Sequence, residues 1–458
     1  MADCIFQYIV CHFLFILFTA KICKRTLLLR AFRGHNKWNN SGIFLLHIFG
    51  SNKTAIFINQ QLLPVQNNQR VLSIDAFRGI TIFIMVFVND LAGTPGIPAW
   101  MGHMPANADA MSFVDVVFPA FLFIAGMSIP FALQNRLQKG DGFLQLQGHI
   151  IWRALGLLTL GFFMVNGEDG YNQTASGIPL HLWLLLFYAA AILTWNVYTF
   201  KNKTWHYVLR FAGIAGLIIL AFIYRSCDGT GYMRPHWWGI LGLIGWAYLY
   251  SCIFYQLLKG NIILLVAMIA FCTAFYMVSK LPAVQESDPF SWMRSQAGNA
   301  AHTSIVLCGI VLSQIFFTKK IMADMGTRFT QAAIFMALLF IAGYIIHPYF
   351  KISKIYATPT WCLYSAGFCC IIFGLLYWLI DIQGKSKWTI FFKPAATNPL
   401  LTYIIPDILF SFFIFFKITI FPVRLRYGIT GICWSLFFAI VVMYIAKGLN
   451  KLKIRMQL

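Results

Sequence analysis

The 458-residue chain is too apolar for a soluble globular protein, because 59% of its residues are hydrophobic and only 11% are charged. Soluble domains carry about 25% charged residues and bury most of their large apolar patches. The net charge of +21 does not indicate nucleic-acid binding, because Lys and Arg lie between apolar runs, as they do in the cytoplasmic loops of membrane proteins. The 11 cysteines include no CxxC pair, so neither a disulfide framework nor a metal site is predicted.

Residues 1–70 differ in pattern from the rest of the chain. Residues 5–20 form a short apolar run that is followed by Lys21, Lys24 and Arg25. A signal peptide has its positive charges before the apolar run, not after it. Residues 34–70 are rich in Asn and Gln and show no sustained period. We therefore expect an unstructured extension or a start site assigned too far upstream, with one additional helix as the alternative.

From residue 71 onward, regular apolar runs predict an all-α bundle of about 11–12 membrane-spanning helices. Each run is close to the ~20 residues that a helix needs to cross a bilayer. Residues 71–458 are therefore expected to form one transmembrane domain. The runs lie near residues 78–93, 111–133, 148–165, 178–200, 206–224, 237–257, 261–280, 301–318, 329–347, 358–381, 396–416 and 429–447.

The loops predict the orientation of these helices. The segments 94–110 and 166–177 contain no Lys or Arg, whereas loops of the alternate set and the C-terminal tail are basic. The positive-inside rule therefore places residue 71 and the C-terminus in the cytoplasm and the 94–110 loop outside. The short loops suggest a bacterial protein, so we expect the bacterial inner membrane, with the periplasm outside.

A polar stripe runs along the first predicted helix. At 100° per residue, Asp75, Arg78 and Asn89 fall within about 60° of one another, and Arg78 and Asn89 are separated by about 16 Å of helix rise. Polar residues within a span usually face the bundle interior and mark a functional site. Alternatively, Asp75 caps the helix and pairs with Arg78 at the i, i+3 spacing.

His103 and Asp115 lie next in the chain and suggest acid–base chemistry. Asp115 opens the second helix four residues before Pro119, whose missing N–H leaves the Asp115 carbonyl without its usual partner. Its carboxylate could orient a neighbouring histidine or serve only as a first-turn acid. His103 lies in the loop between the two helices. Histidine is a general base at neutral pH, and an amine must lose a proton before it attacks a thioester.

The segments RVLSIDAFRGITIFIMVFVND and SFVDVVFPAFLFIAGMSI resemble the opening of the heparan-α-glucosaminide N-acetyltransferase family. Two later segments, ISKIYATPTWCLYSAGF and FFKPAATNPLLTYIIPD, are similar to late helices of its bacterial members, so the resemblance extends over roughly residues 71–458. In that family a histidine of the first outer loop is the proposed catalytic residue, and His103 occupies its place. The family's asparagine and aspartate match Asn89 and Asp115. The resemblance does not include the lysosomal enzyme's large lumenal domain.

The resemblance implies a transmembrane N-acetyltransferase. Cytosolic acetyl-CoA would be the co-substrate, with no metal, and the acceptor would be the amine of a terminal glucosamine-type sugar outside. His103 would act as base for direct transfer or carry the acetyl group covalently, and Asn89 would donate a hydrogen bond to the oxyanion. Membrane lipid surrounds such a protein, no nucleic-acid partner is expected, and the oligomeric state stays open, a homodimer included. The residues expected to bind acetyl-CoA are Asp75, Arg78, Arg153, Lys393 and Asn398.

Two other functions are compatible with parts of the pattern. Membrane O-acyltransferases of surface glycans also begin with an Asp-x-x-Arg-Gly helix, but they have a histidine within or at the end of that helix. The corresponding stretch here reads VFVND. A sugar transporter would also have about twelve spans and polar residues near the midplane, yet the sequence shows no paired halves.

Overall fold

The computed structural model describes residues 71–318, 324–418 and 425–456. Within these ranges the chain is helical, and the β structure consists of isolated bridges. The predicted all-α helix bundle is confirmed. The predictions for residues 1–70 lie outside the described residues.

Long helices follow the predicted apolar runs in chain order. They are α1 (Leu72–Leu91), α2 (Val114–Gln138), α3 (Phe143–Glu168), α4 (Leu180–Trp195), α5 (Lys203–Ile223), α6 (Ile240–Leu257), α7 (Ile262–Ser279), α8 (Ser291–Phe317), α9 (Met325–Ile346), α10 (Pro359–Tyr377), α11 (Pro399–Phe415) and α12 (Gly428–Lys451). In the described ranges, 10 helices are long and apolar enough to cross a membrane, and α4 and α11 are shorter apolar helices. The protein is therefore an integral membrane protein with a polytopic helix bundle.

Helix α8 lies at the centre of the bundle and is fully buried along its apolar window. It begins at Ser291 rather than near residue 301, where the apolar run starts. Its first turns are polar, and two of their side chains satisfy each other, since Asn299 Nδ2 donates to Gln296 Oε1 at 2.8 Å. The helix can therefore extend beyond its apolar run without exposing amide groups to lipid.

Glycines bring the central helices into backbone contact. A Cβ atom on Gly126 of α2 would overlap the carbonyl oxygen of Val306 on α8, and one on Gly309 of α8 would overlap the carbonyl oxygen of Phe123. Small residues allow this close approach, which drives helix association in membranes, where the hydrophobic effect between helices is absent. This contact fixes α2, and with it Asp115, against the centre of the bundle.

Two loops meet at the end of the bundle that carries His103. Asp109, in the loop between α1 and α2, binds His347 Nε2 at 2.8 Å and accepts a hydrogen bond from Ile352 N at 2.9 Å. Ser353 Oγ donates to the Ala106 carbonyl at 2.8 Å. These bonds lower the pKa of Asp109, chiefly through the Ile352 amide and then His347. The loop before α10 is thereby attached to the loop before α2.

Candidate functional site

His103 and Asp115 form a hydrogen-bonded pair, with Nδ1 and Oδ1 separated by 2.8 Å. Asp115 is 1% exposed, and its second oxygen accepts hydrogen bonds from Ser112 N at 3.0 Å and Met104 N at 3.3 Å. The His103 side chain is 38% exposed. A buried carboxylate held by backbone amides orients a more exposed imidazole, which is the arrangement that general-base histidines require.

The Trp361 side chain supplies the hydrogen-bond donor that the Asp115 carbonyl lacks within its own helix. Because Pro119 has no N–H, the Asp115 carbonyl has no helical donor, and Trp361 Nε1 donates to it at 3.2 Å. Trp361 is fully buried near the start of α10. The irregular start of α2 is therefore satisfied from α10, a partner that the sequence analysis did not identify.

Lys354 lies against the imidazole. Its Nζ atom is 3.1 Å from both ring nitrogens of His103. Burial lowers the pKa of Lys354, and the negative charge of Asp115 opposes that change. Nδ1–H can donate to Asp115 while Nε2 accepts from Lys354, which is the tautomer of a resting general base. The sequence analysis missed Lys354, which lies in a loop 251 positions further along the chain.

At the opposite end, Asp75 and Arg78 line a cavity of about 440 Å³ together with Arg153. Arg78 pairs with Asp75 at 2.9 Å and donates to Ser128 Oγ at 2.6 Å. Arg153 lies over the Tyr248 ring, 4.8 Å from its centroid. The i, i+3 pair exists as the sequence suggested, and the same two side chains also face a ligand-sized space.

Lys393 and Asn398 flank this cavity without being among its lining residues, which include Ala396 and Thr397. The Asn398 amide is 1% exposed; it donates to Asn450 Oδ1 at 3.1 Å and accepts from Met456 N at 3.2 Å. Asn398 therefore fastens the C-terminal tail. Lys393 is exposed at the start of the short helix Lys393–Thr397.

A second cavity of about 250 Å³ lies toward the His103 end, and Asn89, Glu168 and Asp407 line it. Ile240, Leu241 and Tyr403 line both cavities, so the two spaces adjoin. His103 and Asp115 do not line either of them. The sequence analysis did not select Asp407, although a carboxylate within the apolar stretch TYIIPDILF is a signal for function in a membrane helix.

Comparisons with known proteins found one matching family model and two similar named proteins. A family model described as "Domain of unknown function (DUF5009)" matches residues 70–298, half of the chain. The human protein named heparan-alpha-glucosaminide N-acetyltransferase is 37% identical over 97 residues, and the mouse protein of that name is 35% identical over 97 residues. Each alignment covers 21% of this chain and only 14% of the relative's length. The similarity supports a distant relationship.

Proposed function

The chain belongs to the family described as "Domain of unknown function (DUF5009)", and we propose that this member is a transmembrane N-acetyltransferase. It moves the acetyl group of cytosolic acetyl-CoA to the amine of a terminal glucosamine-type sugar on the periplasmic side of the bacterial inner membrane. The partial similarity to two named N-acetyltransferases supports the reaction class. The basic loops support a cytoplasmic C-terminus.

The observation that carries the proposal is the pair of adjoining cavities, which together extend from Arg78 and Arg153 to Asn89. The first, of about 440 Å³, lies in the ~300–1,000 Å³ range of small-molecule sites. Guanidinium groups suit the phosphates of acetyl-CoA. Asn89 lies about 16 Å further along α1, so an extended donor bound at Arg78 presents its thioester toward Asn89.

The residues then have distinct tasks. The Asn89 amide donates a hydrogen bond to the oxygen that becomes negative when the amine attacks the thioester. His103, oriented by Asp115, accepts a proton from the attacking nitrogen. His103 lies in the loop that begins where α1 ends, and catalytic hydrogen bonds often tighten only when substrate is bound. Because His103 and Asp115 line neither cavity in this structure, the proposal requires the pair to move toward the cavity together when substrate binds.

The test is acetyl transfer by purified protein from labelled acetyl-CoA to glucosamine, compared with His103→Ala. His149→Ala is the matched control, because His149 also lies near an aspartate, 3.7 Å from Asp141, but at the opposite end of the bundle. We expect His103→Ala to lower kcat by about 10²–10⁴-fold and His149→Ala to leave it unchanged.

Three other results would change the proposal. Full activity in His103→Ala would move the base to another group. Transfer to the hydroxyl groups of N-acetylglucosamine would make the protein an O-acyltransferase. If the native protein neither transfers acetyl groups nor binds acetyl-CoA, the proposed function is wrong. The covalent route has a separate test, in which the protein is incubated with labelled acetyl-CoA in the absence of acceptor. Label attached to the native protein but not to His103→Ala would favour the covalent route over direct transfer.

A further inference from the structure

Glu168 and Asp407 are two acidic residues that line the same cavity. In the part of the chain that the structure describes, neither accepts a hydrogen bond or forms an ion pair. Several other aspartates near the ends of the bundle are paired with a basic side chain: Asp75 with Arg78, Asp90 with Arg426, Asp109 with His347 and Asp115 with His103.

The two unpartnered carboxylates converge on one space. Glu168 ends α3 and Asp407 lies in the middle of α11, yet both line the 250 Å³ cavity that holds Asn89. Glu168 is exposed and Asp407 is half-buried. A carboxylate within an apolar helix such as α11 is costly unless a cation or a proton balances it. The cavity is lined by the Glu168 and Asp407 carboxylates and by the Asn89 amide. These groups suit a small cationic ligand.

We infer that Glu168 and Asp407 bind the protonated amine of the acceptor and that one of them removes its first proton. This inference rests on the proposed function, since it names the groups that recognise the acceptor. The cavity is below the ~300 Å³ lower end for drug-sized ligands, so it suits a single amino-sugar ring. Trp238 lines the same cavity and offers an aromatic face to that ring.

The proton balance of the reaction requires two acceptors. A sugar amine arrives as an ammonium ion, and its first proton passes to a carboxylate, which frees the nitrogen lone pair. The nitrogen then forms a bond to the acetyl carbon, and the carbon–sulfur bond breaks. The second proton passes from nitrogen to His103 and from there to the departing thiolate, giving the thiol of CoA. The carboxylate proton is the one released to solvent in each turnover.

The arrangement also accounts for release of the product. Acetylation removes the positive charge that the two carboxylates bind, so the product loses its charge-assisted hydrogen bonds. N-acetylglucosamine is therefore expected to compete poorly with glucosamine for the cavity.

The experiment measures KM for glucosamine and equilibrium binding of glucosamine in Glu168→Gln, Asp407→Asn and the double variant. We expect each single change to raise KM about tenfold or more, while the Kd for acetyl-CoA stays unchanged. Asp407→Glu restores the charge and should recover much of the affinity, which a merely structural role would not predict. Glu286→Gln is the control, because Glu286 is an exposed carboxylate in the loop between α7 and α8.

The failures of the two proposals are distinguishable. If the native protein transfers acetyl groups and neither single variant changes KM, the inference is wrong and the acetyltransferase proposal stands. If the native protein transfers nothing, the acetyltransferase proposal fails, and glucosamine binding alone decides the inference. Binding that is lost in the double variant supports the cation site, whereas equal binding in native and double variants overturns it. Unchanged acetyl-CoA binding or thermal unfolding confirms that each variant is folded.

Discussion

The amino group of Lys354 is placed where burial disfavours its charged form. Its folded-state pKa is lowered by burial, below the ~10.4 of an ordinary lysine, so the folded protein disfavours the charged amine. This penalty is fully present below the lowered pKa and disappears as pH rises above about 10.4, where the unfolded state is also neutral. A buried amine with a lowered pKa that lies 3.1 Å from His103 Nε2 is a candidate functional residue.

Lys354→Met should therefore raise the thermal unfolding temperature at pH 7 and lower acetyl transfer. The stabilisation should shrink as pH approaches about 10.4. Thermal unfolding in detergent across this pH range is the measurement, with the exposed Lys351→Met of the same loop as the control. A lower unfolding temperature at pH 7 would mean that the attraction to Asp115 exceeds the cost of burial.

Trp361 gives a second test at the level of one hydrogen bond. Trp361→Phe keeps a large ring but removes the donor to the Asp115 carbonyl, which leaves a buried acceptor unpaired. We expect a loss of about 1–3 kcal/mol in the free energy of unfolding, and a smaller effect for Trp100→Phe, whose side chain is 60% exposed. Equal losses, measured by denaturant unfolding in detergent micelles, would show that the hydrogen bond contributes little.

The sequence predicts contacts in the site only between residues that lie close together along the chain. His103 and Asp115 are connected by the loop between α1 and α2, so their pairing follows from local geometry. Lys354, Trp361 and Asp407 lie within the two later segments that carry the family resemblance, but nothing in a single sequence tells which earlier residue each will meet. Those contacts depend on how distant helices pack, and they became visible only in the structure.

At the scale of helices, hydropathy predicts most of the fold because each span must be apolar and satisfy its own backbone hydrogen bonds. Hydropathy fails to predict the end of a helix where hydrogen bonds of polar groups determine that end. The predicted run 178–200 ends as helix at Trp195, because Asn196 and Val197 pair with Arg455 instead. The run 396–416 begins with a separate short helix, and α11 starts only at Pro399. Hydropathy does not detect such tail contacts.

The glycine contact between α2 and α8 makes a prediction about packing. Gly126→Ala and Gly309→Ala each place a methyl group into backbone of the opposite helix, and we expect a loss of about 1–3 kcal/mol from overpacking. Gly298→Ala is the matched control on α8, because its Cβ would have no other atom within 4 Å. That control should stabilise the helix by roughly 0.5–1 kcal/mol. Thermal unfolding distinguishes the opposite signs, and equal shifts would contradict the close approach.

At the scale of the molecule, the helices are arranged around α8, and α5 and α9 lie at the periphery with only 17% of their apolar windows buried. The cavity with Arg78 lies at one end, and Asn89 and Glu168 line the space nearer the other. The direction of the proposed acetyl transfer therefore depends on which end faces the cytoplasm. The positive-inside rule predicts that the basic end, with Lys385 and the C-terminus, is cytoplasmic.

Cysteine labelling tests this orientation without measuring activity. Cys227 is a free, exposed thiol between α5 and α6, at the end predicted to face the periplasm. Cys433 is also free and exposed, so the experiment starts from Cys433→Ser. A membrane-impermeant maleimide should label Cys227 in intact cells, and Cys227→Ser should lower that signal. Lys385→Cys, introduced in the background that carries both Cys227→Ser and Cys433→Ser, should add label only after the inner membrane is permeabilised. The reverse pattern would place Arg78 and Arg153 outside, where cytosolic acetyl-CoA is absent, and would rule out the proposed direction of transfer.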